Sequence, residues 1–166
     1  MADEKKDPGR WAARLALIAW VVYSVASGVH YWDLATGGGL ALCMVALFEM
    51  ARSGAAKLWD WTSLAFFATA AVIMIGLHST AFPIYHVVVI WSFFAAAAWG
   101  SVVLGMPFTE AYAREEAPRE SWDHPVFHRF NWIVTLFWCG LLSVNVGFAV
   151  LSVHIGGNFA GSCRDF

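Results

Sequence analysis

Residues 61–109 read WTSLAFFATAAVIMIGLHSTAFPIYHVVVIWSFFAAAAWGSVVLGMPFT, without one Asp, Glu, Lys or Arg. Residues 131–163, NWIVTLFWCGLLSVNVGFAVLSVHIGGNFAGSC, are equally free of charge. A helix that crosses the hydrocarbon core needs roughly 20 mostly apolar residues. The first stretch therefore holds two spans and the second holds one. Only helices and closed barrels satisfy their backbone in lipid, and these runs lack the two-residue alternation of a barrel strand. They select helices.

The rest of the chain has the same character. Of 166 residues, 60% are hydrophobic and 13% charged, against about a quarter charged in an ordinary soluble domain. The mean hydropathy is +0.61. Two further apolar runs, residues 11–29 and 34–50, add spans one and two. Gly37, Gly38 and Gly39 interrupt the second, which a membrane helix tolerates because glycine lets neighbouring backbones approach. Spans three, four and five are expected at residues 61–77, 85–105 and 130–153, with residues 78–85 as a turn broken by Pro83. The first run is too long for the apolar core of a cleaved signal. The expected fold is all-α, a single five-helix transmembrane domain over residues 1–166.

Basic residues set the orientation. Lys5, Lys6, Arg10 and Arg14 precede span one, Arg52 and Lys57 follow span two, and Arg114, Arg119 and Arg129 fall between spans four and five. Nine of the ten thus lie on one side, with Arg164 alone in the tail. The positive-inside rule makes that side cytoplasmic, with the N-terminus inside and the C-terminus outside.

The connection at residues 106–129 is the longest polar part of the chain. Thr109 is a candidate N-cap with acids close behind it, Pro118 stops the helix, and Asp123 and Pro125 suit the start of the last one. Phe108, Tyr112 and Trp122 are placed to rest on the membrane surface. The connection reads either as a solvated cap or as a docking surface for a cytoplasmic partner, with Arg114, Arg119, Trp122 and Arg129 as its candidate contacts.

In the last span, Asn131, Thr135, Trp138, Leu142 and Asn145 recur every three or four residues and share a helical face. Asn145 is expected to face the bundle and hydrogen-bond a neighbouring helix. Such amides are either structural glue or the lining of a polar cavity in a small channel or carrier.

His30, His78, His86 and His154 fall near the outer ends of spans one, three, four and five. Four gathered imidazoles would make a metal or haem site. None forms a close ligand pair, however, and interfacial placement explains them equally. His124 and His128 stand four residues apart beside Asp123, too few ligands on their own. No cofactor is expected, with haem or metal as the alternative. Cys43 and Cys139 read as small hydrophobes, and the role of Cys163 stays open.

Walker, Gly-x-Gly-x-x-Gly, His-Glu-x-x-His and Gly-x-Ser-x-Gly motifs are absent, and no acid or base lies mid-span. An enzyme is a poor reading, and a net charge of −2 offers nucleic acid no attraction. The small-residue faces at Gly37–Gly39 and Ala95–Ala98 suit packing within one chain or in a homo-oligomer.

Arg129-Phe130-Asn131, followed by Phe137, Cys139-Gly140 and Asn145, resembles the closing helix of the intracellular septation protein A family, or of a diverged sister family. Pro107, Trp122 and Pro125 occupy the matching connection, and the likeness runs over residues 85–150. The resemblance implies a multi-pass protein of the bacterial inner membrane, acting in cell-envelope organisation through contacts with other inner-membrane proteins rather than by catalysis.

Overall fold

In the computed structural model the backbone is described over residues 8–53 and 56–162, and side chains over 14–52 and 56–155. Lys5, Lys6, Cys163 and Arg164 lie outside the described residues, as do the side chains of Arg10 and Trp11. Among the described residues there is no strand. The described residues form six α-helices in order: α1 (Pro8–Gly28), α2 (Gly39–Ser53), α3 (Leu58–Ala71), α4 (Phe82–Val103), α5 (Phe108–Glu116) and α6 (Pro125–Ser162). A π-helical turn, Leu34–Gly38, leads into α2, and another, Val72–Gly76, prolongs α3.

Four helical stretches are long and apolar enough to cross a membrane: Leu34–Arg52, Leu58–Gly76, Phe82–Val103 and Pro125–Ile155. Each shows large apolar side chains to its surroundings, among them Phe48, Val72, Val103 and Phe137. Exposed apolar surface on this scale is unusual for a water-soluble monomer and fits a multi-pass membrane protein.

One boundary differs from the expected one. Pro83 does not break a turn; it sits in the first turn of α4. The missing N–H is harmless there, because the first four amides of a helix have no intrahelical acceptor. Pro125 likewise opens α6, whose 38 residues extend for about 57 Å at ~1.5 Å each, more than a bilayer core requires.

The chain folds as two compact units, Met1–Pro83 and Ile84–Phe166. In the first, α1 packs most extensively on α2. Ala19, Ala35 and Ala46 are fully buried, and small side chains of this kind let helix backbones approach in lipid. Trp20 stacks on Phe66 at 5.3 Å between centroids and meets Phe67 at 4.9 Å. Its indole N–H donates to the Ser63 hydroxyl at 3.2 Å. Of the three consecutive glycines, Gly39 is the one with no room for a side chain. A Cβ there would lie 2.7 Å from Phe67 Cδ1 and closer still to Cε1.

In the second unit α5 packs along the start of α6. The Trp99 indole N–H of α4 donates to Ser143 of α6 at 3.1 Å. Gly105 closes α4 with φ +72°. The amide of Met106 reaches back to the Ser101 carbonyl and that of Gly105 to Val102, the pattern of a helix ended by a left-handed glycine.

Candidate functional site

A set of polar side chains in the second unit gathers where α5 meets the first three turns of α6. Pro107 is followed at once by Phe108, which opens α5 and is buried. Thr109 is therefore inside the helix and is not its cap, because its side chain is used elsewhere. Its hydroxyl donates to the main-chain carbonyl of Asn131 at 2.9 Å and lies 2.8 Å from the Thr135 hydroxyl. Thr135 is wholly buried and Asn131 nearly so, at 3% exposure. The Asn131 amide donates to Phe127 O at 2.9 Å, one turn back on its own helix.

A second row of contacts runs beside the first. The Glu110 carboxylate binds Arg114 on its own helix through Oε1 and His128 of α6 through Oε2, the latter at 2.8 Å. The Trp132 indole N–H donates to Nε2 of His128 at 2.9 Å. A cleft of about 310 Å³ opens over Met106, Pro107, Ala111 and this Glu110–Arg114–His128 set.

Beyond it Arg114 and Arg119, both exposed, flank the half-buried Trp122. The guanidinium carbons of Arg114 and Arg119 lie 5.4 and 5.7 Å from the Trp122 ring centroid. The indole N–H of Trp122 donates to Ala117 O at 3.1 Å, which fixes the ring. An aromatic face attracts such cations by about 0.5–1 kcal/mol at exposed sites. Three of the four expected docking residues thus come together. Arg129 is exposed on α6 and takes no part in the cluster.

The polar stripe of the last span is displaced from its expected line. Asn131, Thr135, Cys139, Leu142 and Ala149 are buried, while Trp138 is 42% exposed. The Asn145 amide donates to Leu141 O of its own helix at 2.8 Å, where the sequence suggested a bond to a neighbouring helix. A four-residue back-bond satisfies that donor without a partner helix.

His30, His78, His86 and His154, expected at outer helix ends, each have a local setting. His30 and His78 are exposed and adopt left-handed backbones, φ 66° and 48°. His30 holds the place usually taken by glycine after α1: its amide donates to Ser27 O and that of Tyr31 to Ala26 O. His30, Trp32, Asp33 and Met74 line a shallow cavity of about 450 Å³. His86 is half-buried on α4 and His154 exposed on α6. Among the described residues no group of three or more His, Cys, Asp or Glu is placed to hold a metal ion.

Glu110 and Trp132 are site residues that the sequence did not single out, and His128 stood out only as a pair with His124, although Glu110/Arg114 and His128/Trp132 each carry the four-residue spacing of helical neighbours. The link between the two pairs is tertiary and has no local signature. No protein-family model, curated protein or solved structure matches this chain.

Proposed function

We propose that this chain is a non-enzymatic, five-span protein of the bacterial inner membrane, of the septation-protein type, that organises the cell envelope by binding other membrane proteins. In this reading α1 joins the four long helices as a span, the N-terminus is cytoplasmic, and the segment containing α5 is the docking element on the cytoplasmic side. One observation carries it. The segment is built rather than slack: Thr109 and Glu110 fasten α5 to α6, while Arg114 and Arg119 are held around a fixed Trp122 and left exposed. Arginine and tryptophan in one pre-ordered patch are the residue types that dominate binding energy at protein interfaces. Solvating a loop requires neither the clasp nor the aromatic stack.

The test is photo-crosslinking in cells from a reactive residue placed at Glu115, which is exposed beside Arg114. A discrete adduct with a membrane protein is expected, falling at least tenfold when Arg114→Gln and Arg119→Gln are combined, with membrane insertion unchanged. Adduct yield that ignores both substitutions would sink the docking role.

A further inference from the structure

We propose that His128 is a protonation switch in the α5–α6 clasp, whose charging releases Trp132 while keeping Glu110. Indole N–H is only a donor, so Nε2 of His128, 2.9 Å from it, must present a lone pair. An ionised carboxylate is only an acceptor, so Nδ1, 2.8 Å from Glu110 Oε2, must carry the proton. The two neighbours together fix one neutral tautomer, and they oppose each other when a second proton arrives. Protonation at Nε2 turns His128 into a double donor. The bond to Glu110 then becomes charge-assisted on both sides, whereas two N–H groups face each other across the distance to Trp132. One bond strengthens as the other is lost, which gives the element two discrete states rather than a graded one.

The titratable and charged groups around His128 are few. From α5 they are Glu110 and, on its other oxygen, Arg114. Just before α6 stands His124, one turn earlier, whose Nδ1 accepts from the Val126 amide at 3.2 Å, and on α6 Arg129 is the next residue. The cleft wall at Gly105, Met106 and Pro107 carries no charge. His128 is itself 54% exposed in its side chain, so protons reach it without any rearrangement. Glu110, at 12% exposure, stays covered as its constant partner. The inference stands apart from the docking role, since it concerns the chain alone.

The experiment is a pH titration of the full chain, labelled with ¹⁵N-tryptophan and held in detergent micelles. The Trp132 indole resonance is assigned by its disappearance in Trp132→Phe. Over about pH 5 to 8, the range in which histidines titrate, this resonance is expected to move with a single midpoint. His128→Gln should abolish the movement and His124→Gln should leave it in place, with dispersion of the other indole signals reporting an intact fold. A Trp132 resonance that stays still in the wild type, or that keeps moving in His128→Gln, would overturn the proposal. Loss of the movement in His124→Gln alone would overturn it too, by assigning the titration to the wrong imidazole.

Discussion

The hydroxyls of Thr109 and Thr135 lie 2.8 Å apart, joining the short helix α5 to the buried face of α6 across 26 residues of sequence. Because Thr109 gives its proton to the Asn131 carbonyl, Thr135 must be the donor between the two hydroxyls. The order Thr135, Thr109, Asn131 is thus a directed chain with every proton used. A buried hydroxyl without a partner costs free energy, so each of these residues makes the others necessary.

Thr109→Val should therefore loosen α5. It removes two hydrogen bonds and leaves the Thr135 hydroxyl without its acceptor, for a loss of about 1–2 kcal/mol. Thr135→Val removes one, and should cost about half as much. Thermal unfolding in detergent measures the loss, and limited trypsin digestion at Arg114 and Arg119 reports whether α5 has come away. Wild-type stability and wild-type protection in Thr109→Val would show that the clasp contributes nothing.

The glycine run makes a sharper contrast in the first unit. Gly39→Ala drives a methyl group into the Phe67 ring, and overpacking of this kind typically costs about 1–3 kcal/mol. Gly38→Ala meets Leu34 and Val22 at 3.6 Å, an ordinary contact, and should be neutral or slightly stabilising. The double variant Gly39→Ala, Phe67→Leu should recover part of the loss. Equal melting temperatures for the two alanine variants would contradict the packing described around Phe67.

Left-handed backbone costs an L-residue roughly 1–2 kcal/mol. His30→Gly, at φ 66°, should accordingly hold or raise stability, and Gly105→Ala, at φ 72°, should lower it by about 1 kcal/mol. An absorption spectrum and metal analysis of the same purified samples belong with this pair. The account predicts no Soret band and no stoichiometric metal. A loss of stability in His30→Gly together with bound metal would instead make His30, His78, His86 and His154 candidate ligands.

Much of the helical plan is legible because charge-free length is a one-dimensional signal. The runs that became the helices from Leu58 to Gly76, Phe82 to Val103 and Pro125 to Ile155 need no tertiary knowledge. Angular detail is harder. At roughly 100° per residue, Asn131, Thr135, Cys139, Leu142 and Ala149 share an arc of about 80°, and Trp138 and Asn145 fall about 20° and 40° beyond its edge. A stripe read by spacing alone includes them; burial excludes Trp138 and leaves Asn145 bonded to its own helix. The π-turns at Leu34–Gly38 and Val72–Gly76 carry no residue signature at all. The Arg114–Arg119–Trp122 cluster was half legible: its residue types stood out, but the choice of Arg114 and Arg119 over Arg129 depends on where Pro118 and the turn after it send the chain.

The docking role depends on which side of the membrane α5 occupies, and cysteine labelling in intact cells decides that directly. With the native cysteines replaced, single cysteines go in at Asp3, Asp33, Lys57, Thr80, Glu115 and His154 and are exposed to an impermeant maleimide. Five spans predict labelling at positions 33, 80 and 154 in intact cells, and at 3, 57 and 115 only after permeabilisation. Labelling of the Glu115 position from outside, or of the Thr80 and Glu115 positions from the same side, would contradict the proposed architecture and the cytoplasmic docking role with it.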